Sequence, residues 1–294
     1  MKKVIIEARM NEAARKDRNP NVPYTPDEII ADAIACAQAG AAIVHFHARD
    51  AEGRESNKVD DYRRIIGAIR DQCDVLIHPT LGGFRDGAGP DERLLHVRAL
   101  CDAGLVPDIA PLDMGSNNVD IFDAEKGRFV GDGFVYVNAT ANLRLMAERL
   151  RSWGVRPQHA IWSIPDLRLA GAFLQASLVR LPGYCMLLLA GEGFLGGHPA
   201  TAAGLRAFLD NMPAQPMEWS AMCFGGEIFG NLPLILAEGG HIALGLGDDP
   251  YASLGQPTNA DIVRAAARAA REAGRDIAAP AEAREMLGME LQPA

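Results

Sequence analysis

Apolar runs of strand length alternate with longer amphipathic segments from one end of the 294-residue chain to the other. Short apolar runs bounded by turn residues are typical of buried strands. Longer segments with apolar residues every three or four positions are typical of helices. The pattern predicts eight strands, at 3–9, 42–47, 75–79, 108–112, 159–163, 185–190, 218–224 and 242–246.

The segments between the strands carry helix signals. In the clearest one, Thr25 is suited to cap a helix, Pro26 to begin it and Glu28 to complete a capping box. Further helices are predicted at about 60–71, 90–103, 141–153, 166–180, 200–211, 228–238 and 259–273. Glycines at 40, 104, 154 and 274 stand where helices are expected to end.

Strand and helix follow each other eight times with no linker rich in proline, glycine or serine, which predicts a (β/α)8 TIM barrel. A doubly wound parallel sheet is the alternative. Barrels of this length are commonly one domain, so residues 1–294 are expected to form a single domain. Because catalytic residues of such barrels lie at the carboxyl ends of the strands, the chemistry is expected in the loops that follow them.

Two histidines close the second predicted strand. His45 and His47 are two residues apart, and side chains alternate between the faces of a strand, so both imidazoles are expected within reach of one metal ion. The alternative is that one imidazole is buried and hydrogen-bonded while the other contacts solvent. Two unpaired imidazoles buried on one face would cost free energy, so the pattern favours a divalent metal site.

Polar residues also follow the first and third predicted strands. Asn11 and Glu12 could meet an amide or carboxyl group of a substrate, although so polar a loop is also typical of a solvated cover. The hydroxyl of Thr80 and the backbone N–H groups of Gly82 and Gly83 could hold a carboxylate or thioester oxygen. Paired glycines also make plain turns.

Asp248 follows the last predicted strand and is the preferred general base, although an aspartate there can simply cap a turn. Arg49, two residues beyond His47, is a further candidate for substrate binding. The loop 191–199 carries Glu192 and His198 and is either a mobile lid or a turn.

Composition narrows the classes of function. The formal net charge of −9 argues against nucleic acid as a partner, because phosphate backbones are bound by clustered lysine and arginine.

No apolar run reaches the length of a membrane span and no signal peptide is recognisable, so the protein is expected neither to enter a membrane nor to be secreted. Five cysteines without a C-x-x-C pair predict no disulfide framework and favour the cytoplasm. Phosphate-loop and G-x-G-x-x-G motifs are absent, which disfavours nucleotide hydrolysis and nicotinamide redox chemistry.

Several motifs, in order along nearly the whole chain, resemble those of the β-keto acid cleavage enzymes, the family typified by 3-keto-5-aminohexanoate cleavage enzyme. They are PNVPYTPDEI at 20–29, HFHARD at 45–50, TLGG at 80–83, GGH at 239–241 and APAEAREMLG at 279–288. The resemblance implies a zinc-dependent TIM barrel that forms a homo-oligomer, either a dimer or a tetramer. It also implies that His45 and His47 bind the zinc and that Asp248 is the base.

The family's reaction takes a β-keto acid and acetyl-CoA and yields acetoacetate and a new acyl-CoA. In the scheme that the resemblance implies, the base removes a proton from the carbon between carboxylate and ketone while zinc holds the substrate oxygens. The carbanion adds to the acetyl thioester, and the released CoA cleaves the chain in a retro-Claisen step. A Lewis acid beside the developing enolate stabilises its negative charge by several kcal/mol.

The chain departs from the family after the eighth predicted strand. Where the family typically has His-Val-Arg-Val-Gly-Leu-Glu-Asp-Asn, residues 241–249 are HIALGLGDD, so Ala243 replaces the catalytic arginine and Gly247 replaces the glutamate that is the third zinc ligand. Catalytic zinc usually has three protein ligands. The third is expected among Glu12, His78, Glu192, Glu227 and Asp248. Ala14 also replaces an acidic residue of the type enzyme, which suggests a less charged or differently held substrate.

Three functions are consistent with these observations. The first is metal-dependent cleavage of a β-keto acid with acetyl-CoA as co-substrate. The second is a different metal-assisted lyase, aldolase or hydrolase, since one barrel hosts many chemistries. The third is a ligand-binding barrel without catalysis, which failure to bind any divalent metal would favour.

Overall fold

A computed structural model describes residues 2–82 and 88–289 and shows an eight-stranded parallel barrel. The barrel strands are β1 (Ile6–Arg9), β2 (Ile43–Phe46), β3 (Leu76–Pro79), β4 (Ile109–Asp113), β5 (Arg156–Ile161), β6 (Gly183–Ala190), β7 (Met217–Phe224) and β8 (His241–Leu244). All eight predicted strands are present, and the (β/α)8 prediction is confirmed.

The strand order excludes the doubly wound alternative. Neighbours in the sheet run β3, β2, β1, β8, β7, β6, β5, β4, so the first and last strands of the chain pair directly. The remaining gap between β3 and β4 is bridged at Asp108. Its backbone N–H donates to the Ile77 carbonyl at 3.0 Å, and its carboxylate accepts from the Ile77 N–H at 2.9 Å. This closure brings all eight carboxyl ends to one mouth.

Helices fill the connections between strands. They are α1 (Pro26–Ala39), α2 (Val59–Arg70), α3 (Pro90–Arg93), α4 (Leu95–Asp102), α5 (Thr140–Ser152), α6 (Ile164–Gln175), α7 (Ala202–Leu209), α8 (Leu232–Ala237), α9 (Asn259–Glu272) and α10 (Pro280–Met286). One-turn 3₁₀ helices span Phe229–Asn231 and Ala252–Leu254. None of these helices has the length and apolar character that a membrane span requires.

The predicted capping box is confirmed at α1, where Thr25 accepts from the N–H of Glu28 and the Glu28 carboxylate accepts from the N–H of Thr25. Several predicted helices differ in extent: 200–211 is helical over Ala202–Leu209, and 228–238 begins with the 3₁₀ helix Phe229–Asn231 before α8. The segment 90–103 is broken between α3 and α4 at Leu94, whose φ of −95° and ψ of 2° leave the helical region. The segment 166–180 is helical only to Gln175, because Ser177 takes a left-handed φ of 55°. The short α10 was not predicted.

The connection from β4 to α5 carries two small antiparallel ladders that the sequence analysis missed. Asn117–Asn118 pairs with Val135–Tyr136, and Ile121–Asp123 pairs with Arg128–Gly131. We call residues 117–136 the hairpin insertion. It bonds to the loop after β6, since the Phe122 N–H donates to Gly193 at 2.8 Å and the Leu195 N–H donates to Asp120 at 3.0 Å. These strands have two to four residues, which is too short for a periodic signal.

A layer of buried polar groups crosses the barrel interior beneath its mouth. The Glu7 carboxylate lies at its centre and accepts from Gln158 Nε2 at 2.6 Å and from the Tyr184 hydroxyl at 3.2 Å. His78 Nδ1 lies 3.1 Å from the same carboxylate. A buried carboxylate is costly unless its oxygens are hydrogen-bonded, and here several donors offset that cost.

Candidate active site

A cavity of about 580 Å³ opens at the carboxyl ends of the barrel strands. Five of the residues singled out from the sequence line it: Glu12, His45, His47, Arg49 and Thr80. Enzymes with this fold place their active sites at this end. The cavity is therefore the candidate active site.

His45 and His47 lie side by side at the end of β2, with ring centroids 5.3 Å apart. His45 Nδ1 lies 2.9 Å from the backbone carbonyl of His78, which fixes this nitrogen as the donor and leaves Nε2 with its lone pair toward the cavity. Burial and the nearby cations lower the pKa of His45 well below its usual value and lower the pKa of His47 to about 3. Both imidazoles are therefore neutral, the form that binds metal ions.

Glu12 completes a three-residue cluster with the histidines. Its carboxylate Oε1 lies 3.5 Å from His45 Nε2, and one ligand atom from each of Glu12, His45 and His47 lies within 4.8 Å of the others. Two imidazole nitrogens and one carboxylate are the ligand set of many catalytic zinc sites. Among the candidates for third ligand, Glu12 is the carboxylate that the fold brings to both histidines.

The absence of a side chain at Gly247 leaves room for Glu12. A Cβ placed on Gly247 would lie 3.0 Å from the Glu12 Cγ, a contact tighter than most. Glu12 itself takes a φ of 26°, an uncommon conformation for a residue other than glycine. The loop after β1 therefore carries a carboxylate into the space that a longer side chain after β8 would fill.

A second cluster, made of Glu7, His45 and His78, also has metal-ligating atoms close together. It is less suited to catalysis because Glu7 and His78 are fully buried and do not line the cavity. Their atoms also face each other at 3.1 Å, and Glu7 already accepts from Gln158. We assign this cluster to the polar layer of the barrel.

Two further candidates for third ligand, Glu227 and Glu192, lie elsewhere. Glu227 accepts hydrogen bonds from the backbone and hydroxyl of Ser253, at 3.1 and 2.5 Å. Glu192 stands on the loop after β6 and is not among the residues that line the cavity.

Asp248 is held by Arg9, a residue that the sequence analysis missed. Arg9 Nε donates to Asp248 Oδ1 at 2.9 Å, while its Nη2 pairs with Glu12 and its Nη1 lies 3.5 Å from Glu7 Oε1. The other Asp248 oxygen is buried without a hydrogen-bond partner in the described part of the chain. Burial raises the pKa of Asp248 to about 7, against the lowering effect of Arg9. Asp248 lies behind the cavity lining, to which Arg9 and Glu12 belong.

Asn11 does not face the cavity. It is fully buried, its Nδ2 donates to the carbonyls of Pro23 and His47 at 3.0 and 2.9 Å, and its Oδ1 accepts from the His47 N–H at 2.9 Å. Both N–H donors of the amide are used, and the side chain is buried away from the cavity. The structure thus gives Asn11 a positioning role at His47 in place of the predicted substrate contact.

The remaining predicted positions differ in their access to the cavity. Thr80 and Arg49 line it, and Arg49 Nη1 donates to the Ala14 carbonyl at 2.6 Å while its buried Nε has no partner among the residues described. Gly82 is buried beside Asn57 and does not line the cavity. Gly83 lies outside the described residues.

The cavity has two chemically different sides. Among the described residues, every titratable one that lines the cavity lies in the chain up to and including the hairpin insertion, whereas β5, β6, β7 and their loops contribute none. The latter side carries a surface of large uncharged side chains that we call the apolar wall, made of Trp162, Met186, Leu188, Phe194, Met222 and Phe224.

A hydrogen-bonded chain at the edge of the apolar wall was also missed from the sequence. Arg93 Nη2 donates to the Tyr136 hydroxyl at 2.5 Å, this hydroxyl donates to Asp113 Oδ2 at 3.0 Å, and Trp162 Nε1 donates to Asp113 Oδ1 at 3.3 Å. Arg93 Nη1 also donates to Asn138 at 2.7 Å. The chain ties the hairpin insertion to the barrel mouth.

Comparison with known proteins agrees with the motifs. A family model described as beta-keto acid cleavage enzyme matches residues 3–289. The chain is 29% identical over 293 residues to the 3-keto-5-aminohexanoate cleavage enzyme of Acetoanaerobium sticklandii, covering 98% of this chain and 99% of that protein. It is 30% identical over 291 residues to the 3-dehydrocarnitine:acetyl-CoA trimethylamine transferase of Rhizobium meliloti, covering 92% and 91%.

A solved structure is similar in fold. The apo structure of ObcA matches with a TM-score of 0.71 at 19% identity, over 92% of this chain and 66% of that longer chain. At this identity the likeness concerns the fold alone. The family model and the sequence relatives confirm the resemblance stated from the motifs.

Proposed function

The chain belongs to the β-keto acid cleavage enzyme family, and we propose that it catalyses a metal-dependent reaction between a β-keto acid and acetyl-CoA. The relatives are named as cleavage enzymes or acetyl-CoA transferases, so this chain is a carbon–carbon bond-cleaving enzyme of that type. The observation that supports metal dependence is the cluster of Glu12, His45 and His47 in the cavity at the barrel mouth.

Glu12, His45 and His47 would hold the metal ion, and the donor set fits a divalent cation, by family resemblance Zn²⁺. The histidines are neutral, and His45 Nδ1 is bonded to a backbone carbonyl, which orients Nε2 as a ligand. When bound, the ion supplies Lewis-acid stabilisation of the negative charge that develops on the substrate oxygens. Asn11 fixes the backbone of His47 through two hydrogen bonds, one to its carbonyl and one from its N–H, and so fixes the second ligand.

The two side chains missing from the end of β8 have counterparts on β1. Glu12 occupies the space beside Gly247. Arg9 Nη1 lies 3.4 Å from Met186 Sδ, and Met186 belongs to the same buried cluster as Ala243, so the guanidinium lies in the region that the small Ala243 leaves open. We infer that this chain has moved the arginine to its first strand and the carboxylate to the loop that follows it. That relocation favours retained chemistry over a different lyase, a hydrolase or a non-catalytic barrel.

Asp248 is the base that we assign to proton transfer. It takes a proton from C2 of the β-keto acid, and the C–H electron pair becomes that of the enolate. A pKa of about 7 leaves the carboxylate basic enough to accept the proton near neutral pH. Arg9 stands between Asp248 and the cavity, and contacts of this kind commonly tighten only when substrate is bound.

The carbon skeleton is then exchanged in two steps. The enolate carbon forms a bond to the carbonyl carbon of acetyl-CoA, and the CoA thiolate leaves. The thiolate adds to the original ketone carbon, the bond between that carbon and C2 breaks, and the electron pair passes to the acetoacetate enolate, which recovers the proton from Asp248. The products are acetoacetate and the new acyl-CoA. Thr80 and Arg49 line the cavity, and we assign them to contact with substrate oxygens.

The test is acetyl-CoA-dependent product formation. Purified enzyme, acetyl-CoA and a panel of β-keto acids are incubated, and acetoacetate and acyl-CoA are measured by mass spectrometry. We expect equal amounts of the two products from at least one acid, and loss of both in His45→Ala. Cleavage that releases a free acid without consuming acetyl-CoA would instead identify a hydrolase or simple lyase. The homo-oligomeric state, the cytoplasmic location and the single-domain organisation of residues 1–294 stay predictions.

A further inference from the structure

Resting on the function proposed above, we propose that the acyl group transferred to CoA is apolar and lies against the apolar wall of the cavity. The β-keto acid has one end that must lie at the metal-ligand cluster, because the carboxylate and ketone oxygens react there. Its other end is the acyl substituent. The structure shows what surface that substituent meets.

The cluster and the wall lie on different strands of the barrel. Glu12 follows β1, and His45 and His47 lie at the carboxyl end of β2, whereas the wall is built on β5, β6 and β7. In the strand order of the barrel these groups are separated by β8 on one side and by β3 and β4 on the other. A substituent that extends away from the cluster across the mouth therefore reaches the wall.

The wall is a packed surface. The rings of Trp162, Phe194 and Phe224 contact one another with centroids 5.1 to 5.9 Å apart, at tilted or edge-to-face angles. Met186 and Leu188 are 2% and 3% exposed and belong to the buried cluster against which Trp162 and Phe224 pack. Rings that pack against each other present a continuous apolar face, whereas recognition of a quaternary ammonium uses rings arranged around the cation.

Asp113 and Arg93, two charged residues at the edge of the wall, already have hydrogen-bond partners; only the buried Arg93 Nε has none in the described part of the chain. Asp113 accepts from Trp162 at one oxygen and from Tyr136 at the other, at 3.3 and 3.0 Å. The terminal nitrogens of Arg93 donate to Asn138 and Tyr136. A cationic substituent would have to compete for Asp113 and an anionic one for Arg93, and either would lose water against apolar side chains.

To test this inference, the rates of acyl-CoA formation are compared for three six-carbon β-keto acids that differ in the charge of the substituent. They are 3-oxohexanoate, 3-oxoadipate and 3-keto-5-aminohexanoate, each supplied with acetyl-CoA to the metal-loaded enzyme. We expect kcat/KM for 3-oxohexanoate to exceed that for either charged acid at least tenfold. Among straight-chain acids, each added methylene that still fits should raise kcat/KM by about fourfold.

The outcomes separate the two proposals. Acyl-CoA formation that is fastest with either charged acid overturns the apolar substituent and leaves the proposed function standing. No acyl-CoA from any of the three acids, nor from longer uncharged acids, overturns the proposed function and this inference with it.

A pair of variants locates the binding surface. Phe194→Ala removes a ring of the wall, and we expect it to shift the preferred acid toward longer chains, with little effect on metal content. Phe129→Ala is the matched control, since Phe129 lies in the hairpin insertion, is 53% exposed and does not line the cavity. An unchanged chain-length preference in Phe194→Ala, or an equal change in both variants, would refute the placement of the substituent on the wall.

Discussion

Replacing Arg9 by methionine removes the guanidinium that holds Asp248 and keeps a side chain of similar length. Arg9 Nε lies 2.9 Å from Asp248 Oδ1, and its charge lowers the pKa of that carboxyl, which burial and the carboxylates of Glu7 and Asp249 raise. Without the guanidinium charge, burial and the neighbouring carboxylates remain, and both raise the pKa of Asp248. The pKa of Asp248 must therefore move upward from its value of about 7.

The size of the shift follows from the separation. An opposite charge within about 4–6 Å usually moves a carboxyl pKa by about 1–3 units. At pH 7 the wild-type carboxyl is about half ionised, so a shift of about one unit lowers the active fraction about fivefold and a shift of about two units about fiftyfold. The base must be ionised to act, so kcat/KM rises with pH up to the pKa and is level above it.

The assay is the pH profile of kcat/KM for acyl-CoA formation in wild type, Arg9→Met and Arg9→Lys. We expect the ascending limb of Arg9→Met to move to higher pH and that of Arg9→Lys to stay close to wild type. Metal content is measured in parallel, because Arg9 also pairs with Glu12. Superimposable profiles for wild type and Arg9→Met, at equal metal content, would refute the assignment of Arg9 as the residue that positions Asp248.

Three further predictions follow from the site. Glu12→Gln should weaken Zn²⁺ binding at least tenfold in a competition titration, whereas the same loss in Glu55→Gln would identify Glu55 as the third ligand instead. Asn11→Ala removes the three hydrogen bonds of a buried side chain and should lower the free energy of unfolding, measured in urea, by about 2–4 kcal/mol. The exposed control Asn211→Ala should change it by less than about 0.5 kcal/mol. Gly247→Glu combined with Glu12→Ala should recover metal binding that Glu12→Ala lacks, since the two positions share one space; no recovery would count against the relocation of the carboxylate.

Local pattern was sufficient to predict the barrel and the two histidines. The periodic spacing of hydrophobic residues predicts the strands and helices. The shared position of His45 and His47 follows from the alternation of side chains along one strand. Their centroid distance of 5.3 Å agrees with that reasoning. The capping box at Thr25 is equally local, because its partners lie three residues apart.

The rest of the site depends on contacts between distant residues. Arg9 meets Asp248 across 239 positions of sequence, and nothing near either residue indicates the pairing. A clue was present in β1, where the alternation that buries Ile6 and Ala8 on one side turns Glu7 and Arg9 into the barrel. Asn11 shows the converse error, since a polar residue at the rim was expected to meet substrate and instead bonds to the backbone of His47.

The proposed reaction depends on a metal ion bound by Glu12, His45 and His47. The most direct measurement is elemental analysis of protein purified without chelator, on wild type, His45→Ala and His47→Ala, combined with the acetyl-CoA-dependent assay on the same samples. We expect about one Zn²⁺ per chain in wild type, with loss of metal and of acyl-CoA formation in both variants. Full activity in metal-free wild-type protein would contradict a metal-dependent reaction.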